Sequence, residues 1–350
     1  MNTFKNLLKT DKTGLINGYC HIPWTDLLIN ENGLIYPCGC EGWLKKSIGN
    51  ILEIKNKKDL SDILFNNIIK QSILDQSYKF CHGYKCSFIQ NSYLNKKSKF
   101  FVDSSKDLTN LYLKNIWLQI DESCNLACPT CRNNVIINKN NSKTQKIKTI
   151  LDKLEDFLLN EYKEQITIRL VGNGELFASP TLLSWFLKFD FKRYNNVNFL
   201  IHSNGTLLNK HKDYLLSVAN NLSGFEISTD ATSKETYSIV RKNGEWEDLL
   251  KGYEVLDELR KIQPDFYIAS SFVISSLNYF EIPNMIKFSK DRNTTLIFYK
   301  VLRWSMDVQK FDSLNIFSPK HPKHNDFLSV ISKIDFSQTS LDTNIFTFKI

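Results

Sequence analysis

From residue 116 onward the chain alternates two hydrophobic patterns. Short apolar runs predict strands: IWLQI (116–120), QITIRLV (165–171), NVNFLIHS (196–203), GFEIST (224–229), DFYIASSFVI (265–274) and TTLIFYKV (294–301). Between the first two, Ile147, Ile150, Leu151, Leu154, Phe157 and Leu158 recur at helical spacing and give one apolar face. Further helices are predicted at 180–188, 210–220, 246–262 and 279–289, the first opened by Ser179-Pro180 as cap and first turn. Strand and helix taking turns predicts a parallel sheet with right-handed crossovers, hence an open or closed β/α barrel. In such folds the chemistry sits where strands end. Beyond Arg303 the pattern predicts one more helix near 323–335 and a final strand, FTFKI.

The first quarter of the chain is patterned differently. DLLINENGLIYPC alternates around a central Asn-Gly and predicts a hairpin that brings Cys20 and Cys38 together. Residues 91–110 are polar and Lys/Ser/Asn-rich and read as a linker. The expected organisation is a small domain over 1–105, a barrel over 106–305 and a C-terminal extension packing on it over 306–350.

Composition narrows the function classes. The chain has 350 residues and a formal charge of +8, but its lysines are scattered among asparagines. No compact basic run tracks a phosphate backbone, which argues against a nucleic-acid partner. No apolar run has the length of a membrane span, and MNTFKNLLKTDKTG lacks the features of a secretory signal, so a cytoplasmic protein is expected. Eight cysteines are too sparse for a disulfide scaffold and point to metal or redox work.

Five cysteines, Cys20, Cys38, Cys40, Cys81 and Cys86, lie in the first quarter, and Cys124, Cys128 and Cys131 follow the first barrel strand. A structural zinc wants four ligands, whereas a local trio leaves a metal coordinatively open. A [4Fe-4S] cluster with three thiolates fits that count. A zinc knuckle borrowing His202, or three ordinary thiols, is the competing reading of the spacing.

The segment IDESCNLACPTCR resembles the C-x3-C-x2-C signature of the radical S-adenosylmethionine (SAM) superfamily, and the resemblance continues over roughly residues 115–300. VGNGELF is similar to the family's glycine-rich SAM-binding element: Gly172 and Gly174 let backbone approach a ligand, and Glu175 receives the SAM ammonium. Leu176 stands where the family usually has proline. Ser203, Asn204 and Gly205 resemble its threonine-asparagine-glycine turn, commonly a shaping element. EISTDATSKETYSIVRKNG resembles its serine-x-aspartate turn, which implies that Ser228 and Asp230 face the ribose or methionine portion and Arg241 the carboxylate. Ser271, Asn278 and Glu281 are further candidates, and adenine is expected against backbone around Tyr299–Leu302. The fold implied is α/β, a partial (β/α)6 TIM-like barrel with a small N-terminal metal-binding α+β extension.

That extension is similar to the SPASM domain of radical SAM enzymes, shortened and placed before the barrel. The matching features are Cys20, Gly33 with Cys38 five residues on, the triplet Ile48 to Asn50, and the Cys81-x4-Cys86 pair. The resemblance implies an auxiliary [4Fe-4S] cluster on Cys20, Cys38, Cys81 and Cys86, with Cys40 a spare or a replacement ligand; a four-thiolate zinc site stays open. It also implies reductive cleavage of SAM and hydrogen-atom abstraction from a substrate carbon, with a flavodoxin- or ferredoxin-type electron donor. The substrate expected first is a peptide or protein, then a sugar or small metabolite. Few residues precede Cys20, which weighs against a leader-binding domain. A non-catalytic iron-sulfur or zinc protein is the third expectation.

Overall fold

The computed structural model describes residues 18–65, 67–75, 77–82, 86, 101–103, 112–170, 173–303 and 306–334. Gly172, most of the predicted linker and the predicted FTFKI strand lie outside the described residues. The fold is mixed α/β with a nine-stranded, mostly parallel sheet. The chain divides into two compact units: Met1–Asp121 with Lys139–Asn173 and Ser184–Phe199, and Glu122–Asn138 with Gly174–Leu183 and Leu200–Ile350.

In the first unit, β1 (Gly18–Cys20) pairs antiparallel with β5 (Phe101–Asp103), so a strand lies inside the segment predicted as linker. The predicted hairpin forms from β2 (Asp26–Asn30) and β3 (Leu34–Tyr36), and β4 (Gly49–Asn50) extends it antiparallel. Its turn closes on itself: the Asn30 side chain accepts from the backbone N–H of Asn32 and of Leu34, both at 3.0 Å. Gly33 takes φ +76°, a left-handed value that costs glycine nothing. The other edge of β2 pairs parallel with β6 (Asn115–Gln119), which pairs parallel with β7 (Ile166–Leu170). Flanked on both sides, all five residues of β2 are buried.

The helix Ser142–Leu154 carries the predicted apolar stripe, with Ile147, Ile150, Leu151 and Leu154 buried. Asn141 caps it in a reciprocal box with Thr144. Past Leu154 it widens into a single π turn, Glu155–Leu159, which buries Leu158 and leaves Phe157 half-buried.

β8 (Val197–Ser203) runs into the second unit, where β9 (Leu222–Ser228), β10 (Tyr267–Ile274) and β11 (Thr295–Lys300) pair in parallel, with Ser228 opposite Ser271. Helix Trp246–Ile262 matches its predicted bounds; Glu247 and Asp248 at its start and Arg260 and Lys261 at its end complement the helix dipole. Helix Ile282–Asp291 and helix His324–Ile331 close a core of Phe272, Ile282, Met285, Phe298, Phe327 and Ile331. Helix Val308–Leu314, capped by Asp307, has no counterpart in the sequence pattern. Among the described residues no helix is long and apolar enough to cross a membrane.

Candidate active site

The three-cysteine loop belongs to the second unit. Cys124 pairs with Ile136 in an isolated antiparallel bridge, and the N–H groups of Cys131 and Arg132 both donate to the Cys128 carbonyl at 2.9 Å. The loop is thus folded back twice. This presents each sulfur to a nitrogen donor. Leu126 N–H lies 3.4 Å from Cys124 Sγ, with Asn204 Nδ2 at 4.0 Å. Arg241 Nη1 lies 3.6 Å from Cys128 Sγ. Arg132 donates to the Cys131 thiol and, through Nη1, to the Glu122 carbonyl.

Burial pushes the Cys124 thiol up to about 11, with the Glu175 carboxylate adding to it, while the Leu126 N–H and Arg132 work the other way. Burial also raises Cys128, and the Arg241 charge and hydrogen bond pull it back. Nearby cations and N–H donors favour the thiolate, the form that ligates metal.

Glu175 is 2% exposed and is tied to the cysteine loop by its backbone N–H, which donates to Ser123 O at 2.7 Å. Its carboxylate accepts from Phe177 N–H (3.2 Å), Ser203 Oγ (3.0 and 3.1 Å) and Asn204 N–H (2.6 Å). Burial still raises it to about 7 against these bonds. Gly174 precedes it in the turn and is half-buried. Asn204 also donates to Asn125 Oδ1 at 2.9 Å, so one turn holds both Glu175 and the cysteine loop. Gly205, at φ +80°, closes that turn; a Cβ there would stand 2.8 Å from Leu249 Cδ1.

Asp230 adopts φ +57°, which short polar residues tolerate. Its Oδ1 accepts from Val273 N–H at 2.6 Å and its Oδ2 is 2.9 Å from Arg241 Nη2. Arg241 therefore bridges Asp230 to Cys128. Ser228 Oγ lies 2.8 Å from His202 Nε2, and the same nitrogen is 3.8 Å from Glu226 Oε1, which also accepts from Tyr299 Oη at 3.0 Å. Ser271 bonds Ile227 O, Asn278 ties Asp230 O to Val273 O, and Glu281 accepts from Thr232 and Ser233. These last three side chains brace the loop. Sequence reasoning passed over Arg132 and the Glu226–Tyr299 pair; Arg132 could have been found from its position directly after Cys131.

The donor set suits a cofactor bearing negative charge on sulfur. The buried Tyr237 Oη and Arg241 Nε have no hydrogen-bond partner among the described residues, and Cys128 influences both groups electrostatically. Orphaned buried donors are rare and call for an acceptor. A cluster ligated by the cysteine trio, with a carboxylate-bearing cosubstrate beside it, would supply one.

The first unit holds the second set of thiols. Cys20, Cys38, Cys81 and Cys86 pack on a cluster formed by Leu44, Ile69, Ile73 and Tyr78. Burial pushes the Cys81 thiol up to about 12, with Cys86 adding to it. Cys20 is raised by burial and then by Cys86 and Cys81; Cys38 is raised by burial and, against a bond from Cys40 N–H, by Cys86 and Cys20. The four predicted ligands are therefore electrostatic neighbours. Cys20 N–H donates to the Tyr78 hydroxyl at 3.3 Å, and Leu44 bridges Cys81. Among the described residues no group of three or more His, Cys, Asp and Glu side chains converges to the spacing of a single bound metal ion.

No family model matches the sequence, and no curated protein matches it. Among solved structures the chain is similar to one described as native anSMEcpe with bound AdoMet and Kp18Cys peptide. The identity is 16%, the TM-score is 0.38, and the match covers 55% of this chain and 56% of that one. A second, native anSMEcpe with bound AdoMet and Cp18Cys peptide, gives 16% identity and a TM-score of 0.37 over 57% and 56%. The chain spans about half the length of these structures.

Proposed function

We propose that the chain is a radical SAM enzyme with a partial β/α barrel, holding a [4Fe-4S] cluster on Cys124, Cys128 and Cys131. The observation that carries this reading is that every sulfur of the trio has its own nitrogen donor, from Leu126 and Asn204, Arg241, and Arg132. A zinc knuckle would need a fourth ligand, and the His202 Nε2 is already committed to Ser228. When bound, the cluster supplies the electron that cleaves SAM to a 5'-deoxyadenosyl radical.

The protein's residues bind and orient. Glu175 receives the SAM ammonium, a charge that would draw the buried carboxylate back to its ionised form. Gly172 and Gly174 allow close backbone approach. Arg241 offers its unpartnered Nε to the carboxylate, Asp230 holds that guanidinium in place, and Ser228 faces the ribose. Ser203 and Asn204 fix Glu175 against the cysteine loop.

Cys20, Cys38, Cys81 and Cys86 hold an auxiliary [4Fe-4S] cluster in this reading, supported by their mutual proximity. The substrate class is a peptide or protein, following the resemblance to SPASM-bearing maturases; the protein works in the cytoplasm with a flavodoxin- or ferredoxin-type donor.

The test is anaerobic reconstitution, with iron and sulfide counted and 5'-deoxyadenosine measured after dithionite and SAM are added. The expected result is its formation by the native chain and its loss in the Cys124→Ala/Cys128→Ala/Cys131→Ala variant. Product formation by that variant, or stoichiometric zinc at the trio, would overturn the reading.

A further inference from the structure

Arg241 and Asp230 form a charge pair pressed against one sulfur. Their side chains are only 11% and 4% exposed, so water screens neither well. Arg241 is held at both ends of its fork: Nη2 lies 2.9 Å from Asp230 Oδ2 and Nη1 lies 3.6 Å from Cys128 Sγ. Asp230 is fixed in turn by Val273 N–H at 2.6 Å. The order in space is carboxylate, guanidinium, sulfur. An ion pair meant only to lock a loop has no need to end on a thiol.

We propose that this pair sets the reduction potential of the cluster ligated by Cys128, with Arg241 raising it and Asp230 holding it back. The inference rests on the reading that the trio holds an iron-sulfur cluster. Adding an electron to a thiolate-ligated cluster increases its negative charge, so a buried cation donating to a ligating sulfur stabilises the reduced form. The carboxylate lies behind the guanidinium, so its effect on the sulfur has opposite sign and smaller size. Arg132 serves Cys131 in the same sense, but it is only half-buried, and solvent weakens its influence.

The opposite signs give the test. The reconstituted full-length chain is titrated by EPR-monitored reduction in the absence of SAM, following the signal that changes shape when SAM is later added, which separates this cluster from the auxiliary one. Arg241→Gln should shift the midpoint to more negative potential, Asp230→Asn to more positive, and Arg241→Lys should fall between the native chain and Arg241→Gln. A merely structural role moves both midpoints the same way or leaves both in place, and either result overturns the proposal. Should Arg241→Gln fail to assemble its cluster, Arg241→Lys and Asp230→Asn carry the same comparison, since each keeps a polar group in the bridge. A native chain that takes up no iron at the trio overturns the functional reading itself; a loaded chain whose potential ignores the substitutions overturns this inference alone.

Discussion

The two sets of thiols are built on different physical principles. Around Cys124, Cys128 and Cys131 the protein supplies arginines, an asparagine and a backbone N–H, which offset part of the cost that burial imposes on negative sulfur. Around Cys20, Cys38, Cys81 and Cys86 it supplies Leu44, Ile69, Ile73 and Tyr78; burial and then the neighbouring thiols raise Cys20, Cys38 and Cys81, with the backbone N–H of Ile22 and of Cys40 and the Lys45 charge acting the other way. Four thiolates in such surroundings would depend on a metal for their charge, and a metal bound there would fasten segments far apart in sequence. In the proposed function the first set would serve chemistry at an open site and the second would close a metal.

The largest effect expected from this contrast is on stability. Cys38→Ser/Cys81→Ser should abolish metal uptake at the N-terminal site and lower the melting temperature of the loaded protein by about ten degrees, on the order of 7 kcal/mol for a chain of this length. Cys128→Ser should leave the melting curve close to native. Equal melting of the two variants would erase the distinction.

A smaller effect separates charge from shape at the open site. Glu175→Gln keeps the side-chain volume and some hydrogen bonding but removes the charge offered to an ammonium. SAM affinity of the loaded chain, measured by equilibrium dialysis, should fall about 10- to 100-fold, the size of one charge-assisted hydrogen bond. An unchanged affinity would remove Glu175 from the binding site.

The smallest effect concerns a half-buried lysine in the first unit. Lys70 Nζ donates to Leu64 O at 2.8 Å and lies 5.6 Å from the Trp24 ring centroid; burial pulls it down to about 8 from an ordinary 10.5. Below pH 8 both the folded and unfolded chains carry the charge, and the folded one bears its cost. Between pH 8 and 10.5 the folded chain sheds its proton first, so native stability rises with pH. Lys70→Met should therefore be more stable at pH 7 by under about 1 kcal/mol, a figure reduced for the solvent the side chain keeps, and should lose that advantage as pH rises through this window. Urea unfolding at pH 7 and pH 10 decides it; an advantage that grows with pH would show the sign to be wrong.

Local pattern by itself determined the predicted strands from IWLQI to TTLIFYKV, the helix at 246–262 and the hairpin around Gly33, because strand and helix periods and left-handed turns are written within a few residues of each other. It also placed the thiols in two groups, and the fold draws Cys20, Cys38, Cys81 and Cys86 around one apolar cluster. Only the tertiary structure decided that β2 lies beside β6, that Phe101–Asp103 returns to pair with β1, and that Arg241 spans Asp230 and Cys128. Those pairings join residues separated by 81 to 113 positions or, for Arg241 and Asp230, by a segment that contains the helix Lys234–Val240. A hydrogen bond or charge pair depends on distance in space, and no period along the chain encodes which distant side chain will come within reach.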